Sequence, residues 1–272
     1  LDLAGIECPP KATRLEPAAE AGGSFFGHGR SGAFMDEIEW WEFDTAGEMA
    51  EQAAGDIGFV IESAVEAHGG ARIALPGGST PAPLYGQLVK SKSIDWAKVT
   101  IVPTDDRLVA LGDARSNYHR LEGYFAAKGA NLVSLVDESA LGDVQEAGRL
   151  ADARLSLIGW PLDLACLGMG KDGHVASIFP GPDFERAVAG PRERRAVGVR
   201  PRPMPDNAPL DRVTLTAAAL TSARAVMIVI AGADKRRVLE QAIKEGPLAS
   251  APIGRLLSTI EVPVDIFWSA ED

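Results

Sequence analysis

Apolar residues recur along this chain in two rhythms that alternate from residue 35 onward. Over residues 46–67, Met49, Ala53, Ile57, Val60, Ile61, Ala64 and Val65 share one helical face, and His68-Gly69-Gly70 ends the run. Short apolar runs predict strands at 38–43, 72–75, 99–102, 132–136, 162–167, 197–200, 212–215, 225–230 and 264–268. Further helices are predicted at 80–89, where Pro81 suits a first turn, and at 116–127, 144–158 and 235–244. Repeated strand–helix units with continuous apolar strands predict an α/β fold. Its sheet is mostly parallel with helices on both faces, in a single main domain over 35–272. Residues 1–34 contain scattered Pro and the stretch from Gly22 to Gly32, with no sustained period. They read as a flexible N-terminal extension, with Met35 expected as the natural start.

Charge and cysteine usage narrow the function. The 272 residues carry a formal net charge of -11, which disfavours nucleic acid and anionic membrane as partners. An anionic ligand must then be held by a local group of donors. The two cysteines, Cys8 and Cys166, do not make a disulfide framework, and Cys166 lies in an apolar run that reads as core. A reducing, cytoplasmic setting is expected. His28, His68, His119 and His174 show no metal-ligand spacing, so no metal is expected. The longest apolar run, 225–233, is too short to cross a bilayer.

Three unusual segments follow predicted strands, where α/β sheets place their ligands. Pro76-Gly77-Gly78-Ser79-Thr80-Pro81 lies between a strand and a helix. Two glycines, free helix N–H groups and two hydroxyls suit a phosphate, while a tight turn capped by Ser79 or Thr80 fits equally. Thr104-Asp105-Asp106-Arg107 can orient hydroxyls and pin an anion, although alone it reads more ordinarily as a solvated loop.

Gly168-Met169-Gly170-Lys171-Asp172-Gly173-His174 matches a dinucleotide-binding spacing. Pro180-Gly181 stops any helix after little more than a turn, and no strand-end acid follows near residue 193, so a dinucleotide site is set aside. His174 is instead expected at the start of a short helix, whose positive end favours a neutral imidazole able to accept a proton. A histidine capping a turn is the alternative. Lys235 follows a predicted strand and turn and can reach a phosphate at the same sheet edge; alone it is a first-turn surface lysine. Arg192, Arg194, Arg195, Arg200 and Arg202 read as a solvated basic loop, and the five tryptophans as packing.

In order along the chain, several stretches resemble the 6-phosphogluconolactonase family, within the glucosamine-6-phosphate isomerase superfamily. They are residues 75–81, Asp105-Asp106-Arg107, Ser116-Asn117-Tyr118, 167–181, Arg212-Val213-Thr214-Leu215 and Gly232-Ala233-Asp234-Lys235. The resemblance implies a three-layer, Rossmann-like fold and a cofactor-free hydrolase of the oxidative pentose phosphate pathway. It would open 6-phospho-D-glucono-1,5-lactone to 6-phospho-D-gluconate. It also implies that Gly77, Gly78, Ser79, Arg107 and Lys235 hold the phosphate, that His174 is general base on water, and that Asp105 lies by the sugar. Backbone N–H groups of residues 168–174 are expected to hold the oxyanion. A small-molecule phosphosugar lactone is the expected partner, and the chain a monomer or small homo-oligomer. The family usually has Glu at Asp106, Gly at Thr104 and Ser at Pro76. Deaminase–isomerase relatives carry Asn-Glu-Pro after Asp-Gly-His, and here that stretch, Ser177-Ile178-Phe179-Pro180-Gly181, has no acid.

Overall fold

Alternating side chains on short strands bury apolar residues on both faces of a sheet in the computed structural model, which describes residues 13–14, 38–181, 183–188, 190–205 and 208–271. In chain order the elements begin β1 (Thr13–Arg14), β2 (Ile38–Phe43), α1 (Ala46–His68), β3 (Ala71–Leu75), α2 (Ala82–Leu88), β4 (Val99–Pro103) and β5 (Asp105–Arg107). Then come α3 (Asn117–Phe125), β6 (Asn131–Leu132), α4 (Val144–Leu155), β7 (Leu164–Leu167), α5 (Phe184–Val188), β8 (Ala196–Val199) and β9 (Arg212–Leu215). The last are α6 (Ala217–Thr221), β10 (Val226–Ala231), α7 (Ala233–Glu245), α8 (Pro252–Leu257) and β11 (Val264–Ser269). The main sheet runs β1-β2-β11-β10-β7-β3-β4-β6. Its strands are parallel except for β1, which pairs antiparallel with β2. Apart from residues 13 and 14, the expected extension lies outside the described residues.

Strand parity explains the three layers. On β10, Met227 and Val229 join a core with α1, α2 and α3, through residues such as Ile57, Leu84 and Phe125. Val226, Ile228 and Ile230 point the other way, into a core with Ala147 of α4, Leu220 of α6, Leu239 of α7 and Leu256 of α8. The longest helix, α1, begins with a capping box in which Thr45 and Glu48 satisfy each other's backbone, and Gly69 ends it at φ +83°. Cys166 is wholly buried on β7, and burial pushes its thiol up to about 12, as its apolar neighbours foretold. No described helix is long and apolar enough to cross a membrane.

The pattern misplaces several pieces. The strands expected at 197–200 and 212–215 do not join the parallel sheet. With β5 they form a separate antiparallel sheet, β5-β9-β8. The link from β8 to β9 carries four prolines and no described helix, and a parallel pair needs a crossover. Asp105–Arg107, expected as a loop, is therefore strand. The helix expected at His174 is absent: residues 171–178 form turns closed by bridges between Val175 and both Met169 and Ile178. Strand β6 is shorter than expected because the Ser134 hydroxyl binds Val136 locally, donating to its carbonyl and accepting from its N–H.

Helix α4 lies directly on β8, backbone against backbone. A Cβ on Gly198 would meet the Val144 carbonyl oxygen at 1.7 Å, and one on Gly148 would meet the Gly198 nitrogen at 2.1 Å. We expect Gly198→Ala to cost about 1–3 kcal/mol or more. In a thermal melt this is a loss of several degrees, and an unchanged melting temperature would contradict the packing described.

Candidate active site

Strands β3, β4 and β6 step outward in one direction, and β7 and β10 return on the other side of β3. The chain therefore reverses direction between β3 and β7, the crevice where such sheets bind ligands. A cleft of about 230 Å³ opens there, and Gly77, Gly78, Ser79, Asp105, Arg107, His174 and Lys235 all line it. They arrive after four different strands: β3, β4, β7 and β10. Lys235 sits in the first turn of α7, whose N-cap, Gly232, is at φ +83°.

One wall is built around Asn117. Its Nδ2 donates to the Asp105 carbonyl at 2.8 Å, and its Oδ1 accepts from Arg107 Nη1 at 2.8 Å. Arg107 Nη1 also donates to the Arg115 carbonyl at 2.7 Å, so the guanidinium is fixed at the cleft. Gly77 is required by this wall, because a Cβ there would lie 2.0 Å from Asn117 Cγ. The helix after the glycine turn begins at Ala82 with Pro81 before it and no side-chain cap, so neither Ser79 nor Thr80 is spent as an N-cap.

The two adjacent acids diverge because neighbouring strand side chains point to opposite sides. Asp106 is wholly buried and faces away from the cleft. It accepts from the backbone N–H groups of Arg107 (2.8 Å), Asn117 (2.6 Å) and Tyr118 (3.0 Å), and from Ser116 Oγ (3.0 Å). It thus anchors the start of α3. Burial pushes its carboxyl above the usual range, and the donors at Tyr118, Asn117 and Ser116 offset only part of that. Asp105 faces the cleft edge, accepting from Ser177 Oγ at 2.5 Å, Thr104 Oγ1 at 3.2 Å and Asn117 Nδ2 at 3.3 Å. Arg212 lies opposite Arg107 on β9 and is buried. Burial pulls its guanidinium down to about 10, which still leaves a cation at neutral pH beside both acids.

The other wall carries His174. Its Nδ1 lies 2.5 Å from Asp172 Oδ1, and its N–H donates to the same oxygen at 3.2 Å. Phe179 packs on the imidazole with ring centres 4.3 Å apart. A Cβ on Gly170 would come within 2.2 Å of the imidazole Cε1, so the ring occupies the space a side chain would take. Burial alone would raise the Asp172 carboxyl, but the hydrogen bond and charge of His174 hold it below its ordinary value. An ionised carboxylate only accepts, so Nδ1 carries the proton and, in the neutral ring, Nε2 is the acceptor. This replaces the helix-end argument, which has no helix to rest on.

Sequence reasoning assigned no role to Asp172, Asn117 or Ser177. Asp172 had a signal, since an acid two residues before a histidine in a glycine turn can fold back onto the ring. Asn117 and Ser177 lie in stretches that carry the family resemblance, but nothing local points to their partners, which are 12 and 72 residues away in sequence. Three of the expected oxyanion donors are engaged elsewhere. The Gly170, Gly173 and His174 N–H groups already bond to the His174 carbonyl, the Gly170 carbonyl and Asp172. Arg194 opens onto another cavity with Arg149 and Arg186, Arg195 lies over Trp160, Arg200 pairs with Asp211, and Arg200 and Arg202 line a small cavity with Ser177 and Phe179 beside the turn that carries His174. Among the described residues, no three His, Cys, Asp or Glu side chains are grouped to hold a metal ion.

A family model described as glucosamine-6-phosphate isomerases/6-phosphogluconolactonase matches residues 44–264. A 6-phosphogluconolactonase of Rhizobium meliloti is 33% identical over 228 residues, covering 84% of this chain and 97% of its own length. One from Mesorhizobium japonicum is 32% identical over 236 residues, covering 85% and 94%. The crystal structure of a 6-phosphogluconolactonase from Shewanella baltica superposes with a TM-score of 0.77 at 31% identity, over 85% of this chain and 97% of that one.

Asp106 generates a stability prediction. Asp106→Asn turns an NH₂ group toward donors that now meet a carboxylate oxygen, leaving buried donors unpaired. The expected loss is about 1–3 kcal/mol in urea unfolding, and an unchanged midpoint would contradict the anchoring role.

Proposed function

The chain belongs to the family of glucosamine-6-phosphate isomerases and 6-phosphogluconolactonases, and from that premise we propose that it hydrolyses 6-phospho-D-glucono-1,5-lactone to 6-phospho-D-gluconate. This is a ring-ester hydrolysis of the oxidative pentose phosphate pathway, and a cytoplasmic setting belongs to the same reading. The name shared by relatives at about 30% identity supports it. The observation that carries it is the meeting, in one cleft, of an acid-oriented histidine with an arginine, a lysine and a glycine turn.

The chemistry follows from that meeting. The glycine turn, Arg107 and Lys235 take the phosphate, a part of the substrate that does not react. Holding it turns binding energy into orientation of the C1 carbonyl beside His174. Nε2 of the neutral imidazole removes a proton from water as the water oxygen bonds to C1. The tetrahedral intermediate collapses, the bond from C1 to the ring oxygen breaks, and the imidazolium returns its proton to that oxygen. Asp172 acts through His174: it selects the tautomer and balances the transient positive charge. Asp105, with its carboxylate nearly saturated by protein donors, keeps acceptor capacity for a sugar hydroxyl.

The test is turnover of freshly prepared lactone, corrected for spontaneous hydrolysis. The wild-type chain is expected to exceed the spontaneous rate, and His174→Ala to lose about 10²-fold or more in kcat. Lys235→Ala is expected mainly to raise KM, since its contact with phosphate is equal in ground and transition states. Undiminished turnover in His174→Ala would reject the mechanism, and ammonia release from glucosamine 6-phosphate in place of lactone hydrolysis would reject the reaction.

A further inference from the structure

Ser177 lies three residues beyond His174 and is buried, with 1% of its surface exposed. Its hydroxyl donates to Asp105 Oδ2 at 2.5 Å, and its N–H donates to Thr214 Oγ1 at 3.1 Å. Thr214 in turn donates to the Leu215 carbonyl at 3.0 Å and pairs with Asp105 across β5 and β9. One residue thus ties the turn that carries His174 to the small sheet that carries Asp105 and Arg107. The residue just before Ser177 adds a second observation. Ala176 lines the cleft at φ +50°, a left-handed conformation that an alanine rarely adopts. Such strain persists only where the surroundings over-determine it. Here the surroundings are the Ser177 contacts on one side and the Val175–Ile178 turn on the other.

We propose that Ser177 is a positioning residue: its bond to Asp105 sets where His174 stands relative to the acid and the phosphate donors. The inference rests on the lactonase reading and deepens it. The phosphate contacts come from residues Ser177 does not touch, so its loss acts on turnover and leaves ground-state binding largely alone.

The experiment compares wild type, Ser177→Ala, Ser177→Thr and Thr214→Val in the corrected lactone assay, with melting curves for each. Absence of wild-type turnover would reject the reaction itself, independently of Ser177. Given wild-type turnover, Ser177→Ala is expected to lose about 10- to 100-fold in kcat with KM within about threefold. Ser177→Thr keeps the hydroxyl and is expected to recover most of that loss. Thr214→Val removes the other tie of the same turn, and it serves in place of Ser177→Ala if that variant does not fold, with the same kcat-selective loss expected. Wild-type kcat in the variant tested, a loss wholly in KM, or a threonine variant as slow as the alanine one would overturn the proposal.

Discussion

Asp172 Oδ1 lies 2.5 Å from His174 Nδ1, and the chemistry proposed for the cleft depends on that contact. A neutral imidazole has one donor and one acceptor, and a carboxylate beside one nitrogen decides which is which. The same bond holds the ring in place over Gly170, where no Cβ intervenes. Phe179 closes one side of the imidazole with an apolar surface. In the proposed mechanism this histidine needs no helix dipole, because a residue two positions away orients the ring directly.

The second constraint is electrostatic. In a chain of net charge -11, an anion is held only where cations are gathered and kept from collapsing onto nearby acids. Arg107 is aimed by a side-chain amide and a backbone carbonyl, neither of them charged. Asp106 turns away to anchor α3, and Asp105 is occupied by hydroxyl and amide donors. Arg212 supplies buried positive charge behind both acids. The Arg107 guanidinium at the cleft, which the proposal assigns to the phosphate, is therefore held by uncharged groups, although two carboxylates follow one another immediately before it in sequence.

Much of this was legible in the chain itself. The parallel sheet followed from apolar runs such as 225–230 alternating with helices, and all seven proposed site residues line one cleft because turns after parallel strands share one edge. What could not be read were contacts made by strands that change partner. β8 and β9 look like any short apolar strand, yet they pair antiparallel with each other, and β9 pairs antiparallel with β5, which sets Thr214 opposite Asp105 and Arg212 opposite Arg107. The same limit hid Ser177, whose hydroxyl meets an acid 72 residues earlier. The divergence of Asp105 and Asp106 required knowing that both lie in strand.

The most direct measurement of the account is the protonation of the His174 ring itself. Nitrogen-15 NMR of histidine-labelled protein, assigned with His174→Ala and followed through neutral pH, reads each ring nitrogen separately. The account predicts that in the neutral ring Nδ1 carries the proton and Nε2 is bare, and that Asp172→Asn weakens this preference. A neutral His174 protonated on Nε2 and bare on Nδ1 would contradict it, because such a ring has no lone pair to offer a water molecule in the cleft.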